Sequence, residues 1–450
     1  MLHVFVEDGR VANARDEETT PETLNDAGGE TGKQAERRPE LGFVVVWSSD
    51  EPDILGAWLP VAAAGSREPR MLGRGPARSD DEHPRISLLR QRPEHNELLP
   101  PLGSEALSRS QLLFRPVGSE RLEVVNRGRR KISLNGALQD ECEVGPGDVL
   151  EVGNRLALFC TTRPLRLAGS AASPGHAFGV VDALGVVGES PAVWRLRTDI
   201  AFAAQRGGHV LILGATGTGK ELVAGALHSV SGRPGALVSR NAATLPESLV
   251  DAELFGNAKG YPNPGFPERE GLIGAAHRGS LFLDEFADLP SGAQAHVLRV
   301  LDAGDYQRLG ESQQRRSEFR LIAATNRPES SLRADLLARF DFRIRVPPLS
   351  ARREDIPLIL RHLFALVARD EPDMRERFAL PDDLPRVSPG FIQRLVQHPF
   401  ASNVRELRHL LWRALAESPG NALTWPEHDP SLDTSAEDEE GDPPHAEIQR

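Results

Sequence analysis

The order of apolar and polar positions gives the chain three textures. From Leu41 onward, short apolar and β-branched runs recur: Phe43-Val44-Val45-Val46-Trp47, Leu112-Leu113-Phe114, Leu122-Glu123-Val124-Val125 and Leu156-Ala157-Leu158-Phe159-Cys160. Clusters of Gly, Pro, Asn and Ser separate them, a rhythm that predicts a β-sandwich. Pro164 to Ala177 is rich in Ala, Gly, Ser and Pro and reads as a linker. From about Gly179, apolar runs alternate with helix-like stretches. Val210-Leu211-Ile212-Leu213, Ser280-Leu281-Phe282-Leu283 and Phe319-Arg320-Leu321-Ile322-Ala323-Ala324 are continuous enough to predict strands buried on both faces of a parallel sheet. Residues 354–415 carry amphipathic helical spacing, and no internal repeat is visible.

Composition narrows this picture. A chain of 450 residues is too long for one compact core and suggests two or three units. With 39% hydrophobic and 26% charged residues it is globular. No apolar run approaches the roughly 20 residues of a membrane span, so no membrane association is expected. The opening Met1-Leu2-His3-Val4-Phe5-Val6-Glu7 lacks the basic start and long apolar stretch of a signal peptide. Two cysteines, Cys142 and Cys160, form neither a disulfide framework nor a metal site alone, which points to a reducing, cytoplasmic setting. The net charge of −12 belongs to the ends. Residues 1–40 hold ten acidic against five basic residues, and 416–450 hold ten against one. The middle is therefore almost neutral. The expected division is a disordered acidic tail at 1–40, a sandwich at 41–163 and a linker at 164–178. An α/β core at 179–350, a helical lid at 351–416 and a second disordered tail at 417–450 complete it.

Gly214-Ala215-Thr216-Gly217-Thr218-Gly219-Lys220-Glu221 follows a buried strand and opens a helix, Leu222 to His228. The spacing is that of a phosphate-binding loop. Its glycines let backbone N–H groups close round phosphates, the helix N-terminus adds positive potential, and Lys220 reaches the terminal phosphates. Glu221 stands where a metal-binding Ser or Thr is usual. Some sixty residues on, the apolar strand Leu281-Phe282-Leu283 delivers Asp284 and Glu285 side by side. Asp284 can hold Mg²⁺ through water, and Glu285 can polarise an attacking water. ATP and Mg²⁺ are the implied ligands.

The loop, Glu253-Leu254-Phe255-Gly256, Gly279 to Glu285 and Ala324-Thr325-Asn326-Arg327 resemble the AAA+ domain of sigma-54-dependent transcriptional activators. So do Leu332 to Phe340, Pro347-Pro348-Leu349, Arg352 to Pro357 and Asn403-Val404-Arg405-Glu406-Leu407. The resemblance runs from about Gly185 to Leu415. It implies a ring-forming, hexamer- or heptamer-type ATPase that remodels sigma-54 RNA polymerase. Asn241 would restrain Glu285 until subunits align, and Asn326 would sense the γ-phosphate. Arg333 and Arg339 would be arginine fingers acting on the neighbouring subunit's nucleotide, and Arg405 would contact its own. The family's sigma-54 loop, Gly-Ala-Phe-Thr-Gly-Ala, is replaced by Gly260-Tyr261-Pro262-Asn263-Pro264-Gly265, where two prolines fix φ and remove donors. The lid departs too, with Phe400-Ala401-Ser402-Asn403 for the family's Trp-Pro-Gly-Asn.

Residues 41–162 resemble a forkhead-associated (FHA) domain through Leu72-Gly73-Arg74-Gly75, Leu107-Ser108-Arg109-Ser110-Gln111, Leu134-Asn135-Gly136 and Gly145 to Gly153. This implies that Arg74, Ser108, Arg109 and Asn135 contact a phosphothreonine-containing protein, since a guanidinium offers fixed donors that suit phosphate. Gln111 stands where the family has His, and Arg130-Lys131 where it has its first Asn-Gly. The activators usually end in a DNA-binding helix-turn-helix. The acidic stretch after Ala416 lacks the Lys/Arg clusters that phosphate contacts need, so no direct DNA binding is expected. The leading expectation is an FHA-coupled AAA+ regulator of sigma-54 RNA polymerase. The alternative is an ATP-dependent signalling scaffold that no longer engages sigma-54.

Overall fold

The computed structural model describes residues 39–62, 67–93, 95–118, 120–167 and 175–426. The acidic stretches 1–38 and 427–450, expected as tails, lie outside the described residues.

The first unit is a sandwich of two antiparallel sheets, one of eight strands and one of four. All four apolar runs that predicted it are strands. The long pair Pro39–Ser48 and Leu156–Pro164 forms its middle, with Phe43 opposite Cys160 and Val45 opposite Leu158. Period-two alternation explains why these runs are continuously apolar. Phe43, Val45, Leu158 and Cys160 enter the sandwich interior. Val46, Ala157 and Phe159 point the other way, into a second core shared with the lid. Both faces of the sheet are covered.

The second unit is a five-stranded parallel sheet in the order Leu237–Asn241, Ser280–Asp284, Arg320–Thr325, His209–Leu213, Phe340–Arg345. The three strands foreseen from apolar continuity occupy its middle and are buried except at His209 and Asp284. The half-exposed edge strand Leu237–Asn241 and the alternating Phe340–Arg345 lack that continuity, so they gave no such signal. Connecting helices cover both faces, which leaves the carboxyl ends of the strands as the open rim where ligands bind in such sheets.

The lid consists of helices Ile356–Asp370, Pro372–Phe378, Pro389–Gln397 and Asn403–Glu417. It does not stop at 416. Leu423 is fully buried and bridges Val387, while Trp425 packs on Phe391 and His398. The stretch Ser418–Pro426 therefore packs with the lid, and the expected start of a tail at 417 is corrected. Of the ten acidic residues in 416–450 that suggested a tail, nine lie at Glu427 or beyond, past this packed segment.

The sandwich is docked on both neighbours. Arg163 Nη2 lies 3.3 Å from Glu354 Oε1 at the start of the lid, both side chains buried. Arg92 Nη2 lies 3.6 Å from Glu189 of the core and stacks over Trp194. Next to Glu354, Asp355 Oδ1 accepts hydrogen bonds from Glu189 N at 2.6 Å and Ser190 N at 3.0 Å. Adjacent carboxylates thus tie the lid to the sandwich and to the core. The expected linker is pinned at its described ends, with Leu167 buried and Phe178 beneath Arg90 and Arg92. Among the described residues, no helix is long and apolar enough to cross a membrane.

Burial holds the Glu354 carboxyl above its usual range, with Arg163 opposing that shift. Removing one partner of a buried pair strands the other. Arg163→Ala should cost about 3–5 kcal/mol in urea denaturation, whereas Arg163→Met with Glu354→Leu should recover most of it. A loss below about 1 kcal/mol in the single variant would show that the pair does not hold this junction.

Candidate functional site

The strand His209–Leu213 ends in a turn in which Gly214 N donates to Thr325 O at 3.2 Å and Thr218 Oγ1 to Ala215 O at 2.8 Å. Gly217 and Gly219 have φ of +75° and +99°, values open to glycine and strained for other residues. The helix Lys220–Ser231 begins immediately afterwards. Lys220 is almost buried. Its Nζ donates to Gly214 O at 3.2 Å and lies 3.7 Å from Glu285 Oε1.

Opposite, the strand Ser280–Asp284 places the two carboxylates. Asp284 Oδ1 accepts from Glu285 N at 3.0 Å. Glu285 sits at φ +48°, a left-handed conformation rare for a non-glycine residue and often found where geometry serves a site. Its Oε2 accepts from Asn326 N at 3.4 Å, and Asn326 Nδ2 donates to Thr216 Oγ1 at 3.2 Å. A cavity of about 490 Å³ opens over these groups, closed on the far side by Leu363, Val404, Arg405, Arg408 and His409 of the lid. A polyphosphate would meet glycine-loop amides, a helix N-terminus and cationic side chains, with a carboxylate beside it to orient water. The donor set suits Mg²⁺ through its hydration shell: Asp284 Oδ2 is left to a hard cation, and Glu221 lines the same cavity.

Thr216, Gly217, Gly219, Lys220, Glu221, Asp284, Glu285 and Arg405 are thus brought to one cavity, with Asn326 bonded to its rim. Gly214, Ala215 and Thr218 shape the loop behind it. Asn241 stands opposite Asp284 in the next strand, but its Oδ1 accepts from Ala243 N at 2.9 Å. Among the described residues its side chain makes no bond to Glu285, which is restrained instead by Lys220 and the Asn326 amide. In this single chain the Asn241 carboxamide caps its own short turn. Arg333 and Arg339 are half-exposed outside the cavity. Arg333 pairs with Asp335 at 2.6 Å and draws that carboxyl down to about 2, while Arg339 pairs with Asp302. Sequence reasoning missed Arg408 and His409. Their i+3 and i+4 spacing from Arg405 could have revealed them.

On the sandwich, Arg74, Ser108, Arg109, Arg129 and Arg130 line a cleft of about 590 Å³ with a single acid, Glu105. Ser108 Oγ accepts from Arg129 N at 3.0 Å. Gln111 supports the cleft from below, bonding Ser108 N, Asn126 Oδ1 and Arg130 O. Asn135 is not there. It lies beyond the strand Ile132–Leu134, on the lid, where its Oδ1 accepts from Gln397 Nε2 at 2.6 Å and from Val149 N at 2.9 Å. Its predicted place beside the arginines is corrected, because a whole strand separates it from Arg129 and Arg130.

Residues 261–265 are exposed. Gly260 N donates to Phe266 O, and the Tyr261 ring lies where a side chain on Gly310 would go. Phe266, just past the hexapeptide, is 43% exposed, so the loop and its flank present two aromatic rings, Tyr261 and Phe266.

Fold and site define a phosphate-loop α/β unit of the nucleotide-binding kind, with a helical lid over its rim. Residues 186–350 match the family described as Sigma-54 interaction domain, and 350–443 match the AAA+ ATPase lid domain. Residues 186–443 are thus similar to a sigma-54 interaction domain followed by an AAA+ lid. Over 237 residues the chain is 41% identical to the anaerobic nitric oxide reductase transcription regulator NorR of Aeromonas hydrophila, covering 51% of this chain and 45% of that one. It is 40% identical over 234 residues to the transcriptional regulator VasH of Vibrio cholerae, covering 50% and 42%. The chain spans about half the length of the curated relatives it matches. Among solved structures it is similar to NtrX from Brucella abortus in complex with ATP, at 33% identity and a TM-score of 0.45, covering 51% and 52%.

Lys220→Ala removes the one buried cation facing the cavity from the loop. It should weaken binding of a nucleoside triphosphate at least about tenfold by calorimetry, since hydrogen bonds to charged groups contribute about 1.5–3 kcal/mol each. Unchanged affinity would place the phosphates elsewhere.

Proposed function

We propose that this chain hydrolyses ATP in a ring of its own copies and uses the hydrolysis to remodel sigma-54 RNA polymerase. The observation that carries the reading is the convergence of Lys220, Glu285, Asn326 and Thr216 at the rim of the parallel sheet, inside a sigma-54 interaction domain. The loop amides and Lys220 hold the phosphates, and Arg405 reaches them from the lid. Mg²⁺, held through Asp284, neutralises phosphate charge when bound. Glu285 orients the attacking water and accepts its proton, and Asn326, bonded to Thr216 of the loop, sits where the terminal phosphate is sensed. Arg333 and Arg339, exposed and paired with carboxylates on their own chain, would exchange those partners for a neighbouring subunit's nucleotide. Asn241, next to Asp284, would take hold of Glu285 only in another state of the ring.

The basic cleft of the sandwich supports an FHA-type reading in which Arg74, Ser108 and Arg109 receive a phosphothreonine, with Arg129 and Arg130 adding charge. The alternative, a signalling scaffold that acts on a partner other than sigma-54, is favoured by one observation. The loop 260–265 has lost the Phe-Thr contact and carries Pro262 and Pro264.

Two outcomes test this. Mixing Arg339→Ala with Glu285→Gln should restore hydrolysis that neither variant shows alone, because one mixed interface carries both intact groups. No rescue with assembly confirmed would rule out sites shared between subunits. Pull-down of sigma-54 with a transition-state nucleotide mimic should be strengthened when 260–265 is replaced by Gly-Ala-Phe-Thr-Gly-Ala, with ATP turnover nearly unchanged. If neither version captures sigma-54, the scaffold reading stands.

A further inference from the structure

Asn403 is 3% exposed and opens the last lid helix at φ +53°. An Asn at such a position ordinarily caps its own helix. Here the carboxamide bonds elsewhere. Its Oδ1 accepts from Leu349 N at 2.8 Å, where the core passes into the lid, and its Nδ2 donates to Thr216 O of the phosphate loop at 3.0 Å. Both partners are main-chain groups of opposite polarity, so they fix which end of the amide faces which. The next residue adds a third tie, Val404 N donating to Gly217 O at 3.1 Å. The lid turn sits so close that a side chain on Gly217 would collide with the Ser402 carbonyl.

The turn itself is braced. Asn403 N donates to Phe400 O at 2.9 Å, and Ser402 N to Glu406 Oε2 at 2.8 Å. Glu406 Oε1 lies 2.7 Å from His398 Nε2. A braced lid element therefore holds two consecutive carbonyls of the phosphate loop. Tied carbonyls keep the peptide planes from flipping, and a loop that binds phosphate by its N–H groups depends on their orientation.

We infer that Asn403 is a positioning residue for the phosphate loop, holding Thr216–Gly217 in its phosphate-receiving shape and making a seated lid a condition of tight nucleotide binding. The inference rests on the nucleotide reading of the cavity. Asn403 itself does not line the cavity.

The test uses the full chain and two variants. Asn403→Asp keeps an oxygen for Leu349 N but has no donor for Thr216 O. Asn403→Ala loses both. Without nucleotide, amide hydrogen exchange in 214–220 should be about fivefold faster in Asn403→Asp, while exchange across 403–417 stays as in the wild type. Affinity for a fluorescent ADP analogue should fall about tenfold. The fall should be the same at low and high salt, because simple repulsion by the new carboxylate would fade with screening. Asn403→Ala should show the same loop exchange together with a lower melting temperature. Wild-type loop exchange and affinity in Asn403→Asp would overturn the inference. So would a fall that comes with faster exchange throughout the lid, which would mark a purely structural role. Faster loop exchange in the variant with no nucleotide binding by the wild type would uphold the hold of Asn403 on the loop and overturn the nucleotide reading beneath it.

Discussion

The rest of the structure depends on the burial of the lid helices from two sides at once. Helix Pro389–Gln397 presents Phe391, Ile392, Leu395 and Val396 to a core that also contains Val46, Val149 and Phe159 of the sandwich. Each such side chain contributes about 1.5–3 kcal/mol when fully removed from water, so separating the units would expose a costly surface. From its other side the lid reaches the phosphate loop through Asn403 and Val404. The lid is therefore a shared support. Whatever moves it is felt both by the sandwich and by the groups that would hold phosphate.

Polar groups set the direction of that support. Apolar contact alone would allow the units to slide, but Arg163–Glu354, Arg92–Glu189 and the bonds from Asp355 to Glu189 and Ser190 have one geometry each. Their burial makes mispairing expensive, since a stranded charge in that junction has no water to replace its partner. The Asn135–Gln397 contact extends the docking to the far end of the sandwich. That turn is joined to the arginine cleft by the short strand Ile132–Leu134, so one strand links the cleft to the lid contact.

Much of this was legible in the sequence, for identifiable reasons. Continuous apolar runs mark strands covered on both faces, and they located the sandwich middle and the three inner strands of the parallel sheet. The glycine spacing before Lys220 and the Asp284–Glu285 pair are local signals, and the fold brings them together. What escaped was long-range. Nothing near Asn135 in sequence says that its partner is Gln397, and nothing near Asn403 points to Thr216. The apolar runs 43–47 and 156–160 did contain a clue, because a sandwich with one face in water would have alternated. Their lack of alternation called for a cover, which the lid supplies. The acidic composition after Ala416 hid Leu423 and Trp425, two apolar anchors in a stretch whose average is polar.

We propose that the cavity beneath the lid hydrolyses ATP and is completed by a neighbouring copy of the chain. The most direct measurement is the rate of ATP hydrolysis per chain across about a hundredfold range of protein concentration, with assembly state followed in parallel. The rate per chain should rise with concentration and level off when rings are complete. Hydrolysis whose rate per chain stays flat down to fully monomeric protein would contradict it.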